Sequence, residues 1–140
     1  MNKFIAVVKY DKIQETGAVK RVSEKYLCDA LSIVEADSVV TENLEPYISG
    51  DFFTSKVENS PIDEVIGDKE SDKFYISKVA FVSIDEKSGT EKETVSQWLI
   101  GAKDFNEAYS ILKEEIGKCL ADIEVKSISE SQIKEYFYLS

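Results

Sequence analysis

The sequence contains no histidine and only two cysteines among its 140 residues. Without histidine there is no Ser-His-Asp or Cys-His nucleophile, no imidazole proton shuttle and no His-ligated zinc. Two cysteines are too few for a four-thiolate metal site or a disulfide framework. The composition therefore argues against most enzymes, and we expect a protein without catalytic residues, metal or cofactor.

Long apolar runs are also missing. No run approaches the roughly 18 residues that a membrane-spanning helix needs. The apolar run Phe4–Val8 is stopped by Lys9, which makes it too short for the core of a signal peptide, about 7–15 residues. We expect a soluble protein of the cytoplasm that does not bind membranes.

Glycine and proline are scarce, with six and two residues, while 43% of the chain is hydrophobic. These values exclude collagen-like, low-complexity and mostly disordered classes. A chain of this length can bury a core without disulfides or metal, so we expect one compact domain overall.

Charge is distributed unevenly along the chain. Its 17 basic and 27 acidic residues give a formal net charge of −10. Residues 1–30 contain six cations and four anions, a balance of +2, which leaves −12 for residues 31–140. Two interpretations stay open: an acidic surface that keeps the domain soluble, or a functional division between a basic face and an acidic body.

The two halves of the sequence resemble each other. When residues 4–66 are laid on 76–138 at a constant offset of 72, eleven of the 63 pairs are identical. Ordinary residue frequencies would give roughly four identities by chance. This register predicts an internal duplication; the alternative is two α+β units matched by composition alone.

Each half is predicted to fold as strand, strand, helix, strand and short helix. β-Branched and aromatic residues followed by a glycine turn predict hairpins in both halves. Ser32 and Asp104 each precede a glutamate by three residues, which is the capping-box signature of a helix start. The other predicted segments are strands at Asp51–Val57 and Ile123–Ile128 and short helices at about 60–66 and 131–137.

These elements divide the chain into a first repeat at 1–67, a polar connector at 68–72 and a second repeat at 73–140. Neither repeat, of about 65 residues, is expected to fold stably alone. The predicted architecture is therefore α+β, with mixed or antiparallel sheets, two main helices and pseudo-twofold symmetry.

The first hairpin carries the candidate binding residues. Its cations and tyrosines could follow a phosphate backbone and stack on unpaired bases. Alternatively, the tyrosines face the core, because the repeat places Val82 and Trp98 at their positions. The candidate nucleic-acid-binding residues are Lys9, Tyr10, Lys12, Lys20, Arg21, Lys25 and Tyr26.

Four other features have both a structural and a functional interpretation, and we favour the structural one in each. The loop Pro46–Asp51 is interpreted as a turn rather than a recognition loop, and Asp85–Gly89 as a hairpin turn rather than a ligand loop. Cys28 and Cys119 are interpreted as small buried hydrophobic residues. The tail Lys134–Ser140, which contains the aromatic residues 136–138, is interpreted as packed rather than as a hook for a partner.

Several segments resemble DUF4494, a family of unknown function from Bacteroidetes and their phages, including crAss-like phages. The segments that carry the resemblance are Val22–Leu31, Glu35-Ala36, Pro46–Asp51, Val82–Glu91 and Ala121-Asp122. The resemblance covers nearly the whole chain and implies a phage or mobile-element setting. It implies no activity and no catalytic residue.

Two functions are compatible with these observations. The first is a phage-type, non-catalytic protein that binds single-stranded nucleic acid or assists replication through the basic hairpin. The alternative is an acidic interaction protein that inhibits a host defence or transcription component by protein contact or nucleotide capture. The expected partner is thus single-stranded nucleic acid or a host or phage protein, and a second copy of the chain is a further candidate.

Overall fold

The computed structural model describes residues 2–139 and has the predicted α+β fold. Within this range eight strands form two mixed four-stranded sheets, and each of the two helices packs on one sheet. The elements in chain order are β1 (Asn2–Ile13), β2 (Val19–Ala30), α1 (Ile33–Leu44), β3 (Phe52–Asn59), β4 (Ile62–Gly67), β5 (Phe74–Ile84), β6 (Glu91–Gly101), α2 (Phe105–Gly117), β7 (Asp122–Glu130) and β8 (Ile133–Phe137).

Both predicted helix starts are confirmed. The Ser32 hydroxyl accepts a hydrogen bond from the Glu35 backbone N–H at 3.1 Å, and the Asp104 carboxylate accepts one from the Glu107 N–H at 2.8 Å. Each bond satisfies a donor that the first helical turn leaves without a partner. Helix α1 ends at Leu44, two residues before Pro46, as the missing proline N–H requires.

The chain separates into two compact units. Unit 1 contains the residues up to Ser60 and those from Gln132 onward, and unit 2 is Pro61–Ser131. The sheet order is β3-β1-β2-β8 in unit 1 and β4-β6-β5-β7 in unit 2. Unit 2 is thus continuous in sequence, whereas unit 1 is completed by the last strand of the chain. Residues 68–72, which were predicted to connect the two repeats, lie inside unit 2.

The core of unit 1 lies between its sheet and helix α1. Alternate residues of β1 and β2 face the helix because successive strand side chains point to opposite faces. The helix contributes a stripe at the expected helical spacing. The buried residues of this core are Phe4, Ala6, Val8, Tyr26, Cys28, Ala30, Ala36, Val40 and Leu44. Unit 2 has the corresponding core around Tyr75, Val79, Trp98, Ile100, Ala102, Ala108 and Leu112.

The prediction of a short helix near the end of each half is wrong. Residues 62–67 and 133–137 are the strands β4 and β8, and they pair in parallel with β6 and β2. In each strand the register shifts by one residue just after the first pair, at Ile62/Glu64 and at Lys25/Tyr26. The buried positions of β4 are Ile62 and Ile66, four residues apart, a spacing that one face of a strand and one face of a helix share.

The structure does not keep the constant offset of 72. The bulge opposite Val7/Val8 in unit 1 recurs opposite Lys78/Val79 in unit 2, an offset of 71. Tyr26 corresponds to Trp98 at an offset of 72 because the turn of the second hairpin is one residue longer. The two sheets are therefore built alike with small shifts, and descent from one duplicated unit stays a prediction.

Candidate nucleic-acid interface

The seven candidate residues all lie on the hairpin formed by β1 and β2, but on two faces of it. The strands pair in the register Tyr10 to Val22 and Lys12 to Lys20. Residues directly opposite each other share a face, so the alternation separates the candidates into two groups. Tyr10, Lys12, Lys20 and Tyr26 lie on the face that α1 covers, and Lys9, Arg21 and Lys25 lie on the opposite face.

Tyr26 belongs to the core. Its side chain is 5% exposed and stacks on Phe137 with 5.5 Å between ring centroids. Its hydroxyl donates a hydrogen bond to the Glu24 carboxylate at 2.6 Å. Burial, followed by this hydrogen bond, raises the pKa of the Tyr26 phenol. The ring therefore leaves no face open to a base, which agrees with the core interpretation.

Tyr10 is half-buried and shares the same carboxylate. Its hydroxyl donates to the other oxygen of Glu24 at 3.0 Å, and partial burial raises the pKa of this phenol as well. One carboxylate thus holds two phenols side by side at the edge of the core. The arrangement orients the Tyr10 ring but leaves its hydroxyl engaged.

The exposed end of the hairpin carries the cations. Lys12 and Lys20 are directly opposite each other on one face, and neither has an ion-pair partner among residues 2–139. On the other face the Arg21 guanidinium lies 3.4 Å from Asp11 and 5.3 Å from the centre of the Phe53 ring. The end of the hairpin therefore has unpaired positive charge on the Lys12 face.

A groove of about 250 Å³ is lined by Lys12 of this pair. Residues 10–13 of β1 form one wall, and Tyr47, Ile48 and Ser49 from the loop after α1 form the other. Tyr47 is 85% exposed. Tyr47 is not one of the seven candidate residues, because the loop Pro46–Asp51 that carries it was interpreted as a turn rather than a recognition loop.

Comparison with protein families finds one match that spans nearly the whole chain. The family described as Domain of unknown function (DUF4494) matches residues 2–139. The chain belongs to this family. Neither the curated proteins nor the solved structures contain a match to this DUF4494 chain. None of the helices between residues 2 and 139 is long and apolar enough to cross a bilayer.

The two cysteines of the DUF4494 chain differ from each other. Cys28 is fully buried, and burial raises the pKa of its thiol to about 11, so it is held as a neutral thiol. Cys119 is exposed, contrary to the prediction, because it lies beyond the end of α2 at Gly117. Within residues 2–139 no three Cys, Asp or Glu side chains are grouped as metal ligands.

Two other segments of the DUF4494 chain, Asp85–Gly89 and the aromatic tail, form parts of its fold. Asp85–Gly89 is a hairpin turn in which the Asp85 N–H donates to the Thr90 carbonyl at 2.9 Å. Tyr136 of the aromatic tail is buried in β8, and its hydroxyl lies 2.7 and 2.8 Å from the two carboxylate oxygens of Asp29. The tail packs as a strand rather than as the predicted helix.

Proposed function

We propose that this protein is a non-catalytic binding protein that holds single-stranded nucleic acid at the exposed end of the β1–β2 hairpin. The observation that carries the proposal is the cross-strand pair Lys12 and Lys20, with no ion-pair partner in the described chain. Like charges directly opposite each other destabilise a strand pair. A phosphate between the two ammonium groups removes this repulsion.

Comparison of the two hairpins supports a role for this charge in binding rather than in folding. Residues 9–21 contain four cations and two anions, whereas the equivalent residues 80–93 contain two cations and four anions. Both sequences form the same antiparallel pair with a positive-φ glycine in the turn. Because the second hairpin folds with the opposite charge balance, the fold does not require the basic residues of the first.

The acidity of the whole chain favours a single strand over a duplex. A net charge of −10 repels a long polyanion, so only a short, local segment of phosphates is attracted. A flexible single strand can reach the hairpin end without approaching the acidic surface. The setting we propose is the cytoplasm of a bacterial host, where a phage or mobile element uses the protein in replication.

A second candidate is an acidic protein that inhibits a host defence or transcription component by contact. It is favoured by an aromatic surface on α2, where Phe105 and Tyr109 are 47% and 44% exposed and stack at 6.4 Å. The Lys113 ammonium lies 5.5 Å from the Tyr109 ring centre and extends this surface. This candidate predicts that the protein does not bind an oligonucleotide.

The experiment is an anisotropy titration of labelled oligothymidine at about 50 and 200 mM salt. Contact of Lys12 and Lys20 with two phosphates gives a slope of log affinity against log salt of roughly −1.4, at about −0.7 per contact. Lys20→Glu is expected to weaken binding several-fold and to make the slope shallower by about one such contact.

Lys92→Glu is the matched control, because Lys92 occupies the position of Lys20 in the second hairpin and changes the net charge equally. We expect the control to bind like the wild type. Equal losses in the two variants would show that net charge alone governs binding, and no binding by the wild type at about 50 mM salt would favour the second candidate.

A further inference from the structure

We propose that Tyr47, in the loop between α1 and β3, is the residue on which a base stacks when Lys12 and Lys20 hold the adjacent phosphates. This inference rests on the proposed function and assigns it an aromatic contact outside the hairpin. Base stacking on an aromatic ring is the sequence-independent contact of single-strand binding. The ligand class is therefore an unpaired nucleotide within a strand.

Tyr47 is the tyrosine of this region whose ring is free. The Tyr26 ring is buried. The Tyr10 ring forms part of the groove wall, where its hydroxyl donates a hydrogen bond to Glu24. The Tyr47 side chain makes no hydrogen bond or ring contact within the described chain and is 85% exposed on the opposite wall. It faces the same groove as Lys12, which brings an aromatic surface and a cation to one ligand.

The loop that carries Tyr47 is tied to the end of α1. The backbone N–H groups of Tyr47 and Ile48 both donate to the Leu44 carbonyl, at 2.9 and 3.1 Å. The Ile48 side chain packs against the core of unit 1, which anchors the residue next to Tyr47. The backbone is thus fixed while the ring points outward, so little further ordering is needed when a base stacks on it.

The same loop in unit 2 lacks the aromatic residue. After α2 the chain runs Lys118, Cys119, Leu120 and Ala121 into β7. The basic hairpin and an exposed tyrosine in the loop after the helix therefore occur together in unit 1, and unit 2 has neither. A loop aromatic needed only to end the helix and begin the strand would be expected in both units.

The size of the groove limits what it holds. Its volume of about 250 Å³ is below the roughly 300–1,000 Å³ of sites that enclose drug-sized ligands. One base fits beside Tyr47 with its phosphates outside, near the lysines. Bases of a duplex are already stacked on both faces, so the geometry favours a single strand.

The test compares oligothymidine with an abasic strand of the same length, which has the same phosphates but no bases. For the wild type, we expect oligothymidine to bind about 5- to 150-fold more tightly, the range that corresponds to roughly 1–3 kcal/mol for one stacked base. Tyr47→Ala is expected to lose that preference and keep its salt slope. Tyr47→Phe, which retains the ring, is expected to bind within about twofold of the wild type.

Two controls make the result specific to the groove. Tyr109→Ala removes an exposed tyrosine from unit 2 and is expected to change nothing. In the Tyr47→Trp variant, oligothymidine is expected to quench the new indole emission, whereas in the wild type the emission of buried Trp98 is unaffected.

The outcomes separate the two proposals. If the wild type binds oligothymidine but Tyr47→Ala binds it equally well and the Tyr47→Trp emission is not quenched, this inference is overturned and the proposed function stands. If the wild type binds neither strand at about 50 mM salt, the proposed function fails and this inference fails with it.

Discussion

Units 1 and 2 differ in the side chain that accepts a hydrogen bond from the aromatic residue at the same core position, Tyr26 in unit 1 and Trp98 in unit 2. In unit 1 the Glu24 carboxylate accepts hydrogen bonds from Tyr10 and Tyr26. In unit 2 the Ser96 hydroxyl, at the position of Glu24, accepts from the Trp98 indole N–H at 3.2 Å and donates to Asp63 at 2.7 Å.

The same backbone therefore accepts different polar side chains at one position, as long as each buried donor keeps an acceptor. The hairpin ends and the loops after the helices are under no such requirement. Their differences in charge and aromatic content are therefore the better guide to function. Three further measurements test how alike the two units are.

The largest effect on stability is expected from the buried residues through which each helix packs on its sheet. Val40 and Leu112 occupy equivalent buried positions, both with 0% exposure. Leu112→Ala is expected to lower the free energy of unfolding by about 2–5 kcal/mol, and Val40→Ala by less because fewer side-chain carbon atoms are removed. Urea denaturation followed by Trp98 emission and far-UV circular dichroism measures both, and a larger loss for Val40→Ala would show that the units are not packed alike.

Alkaline pH is expected to act mainly on unit 1. Burial raises the pKa of Cys28 from 9.0 to about 11, and burial with hydrogen bonds to carboxylates raises the pKa of Tyr26 and Tyr136 above 10.0. The folded chain holds these protons more tightly than the unfolded chain. The stabilisation that these groups contribute is therefore complete below pH 9. It is lost as the pH rises past their pKa values in the unfolded chain, 9.0 and 10.0, towards the higher values in the folded chain.

Urea midpoints at about pH 8, 9.5 and 10.5 measure this loss. The Tyr26→Phe variant, which cannot ionise at that position, is expected to lose less stability above pH 10 than the wild type. In unit 2 the raised pKa belongs to exposed Lys126, whose contribution solvent screens. An unchanged midpoint across this range would contradict the expectation.

The smallest effect is expected at the helix caps. Ser32→Ala and Asp104→Ala each remove one side-chain acceptor, at a cost of about 1 kcal/mol. Asp104→Ala is expected to cost slightly more, because the carboxylate also interacts with the helix dipole. Thermal unfolding of the two variants gives the comparison, and equal or reversed costs would show that the charge at the second cap is screened.

Local patterns predicted much of the fold correctly. The capping residues Ser32 and Asp104, the glycine turns and the alternating strands depend on neighbours within a few residues, so they are readable from sequence. The strands β4 and β8 were not, because the spacing of the buried residues in β4 also fits a helix and the pairing partners of both strands are distant along the chain. The candidate site was predicted in part: its cations lie at the hairpin end and Tyr26 is in the core, whereas the loop that carries Tyr47 was interpreted as a turn.

Composition and short-range spacing are enough to predict the α+β class, the two capped helices, the two hairpins and the excess of acidic residues. The tertiary structure alone places β8 in the sheet of unit 1 and β4 in the sheet of unit 2, since these pairings join residues far apart along the chain, 109 positions for Tyr26 and Glu135 and 34 for Glu64 and Trp98. It also decided which tyrosine is exposed. Tyr10, Tyr26 and Tyr47 are the same residue type, and their availability depends on what α1, Glu24 and β8 cover, not on the letters beside them.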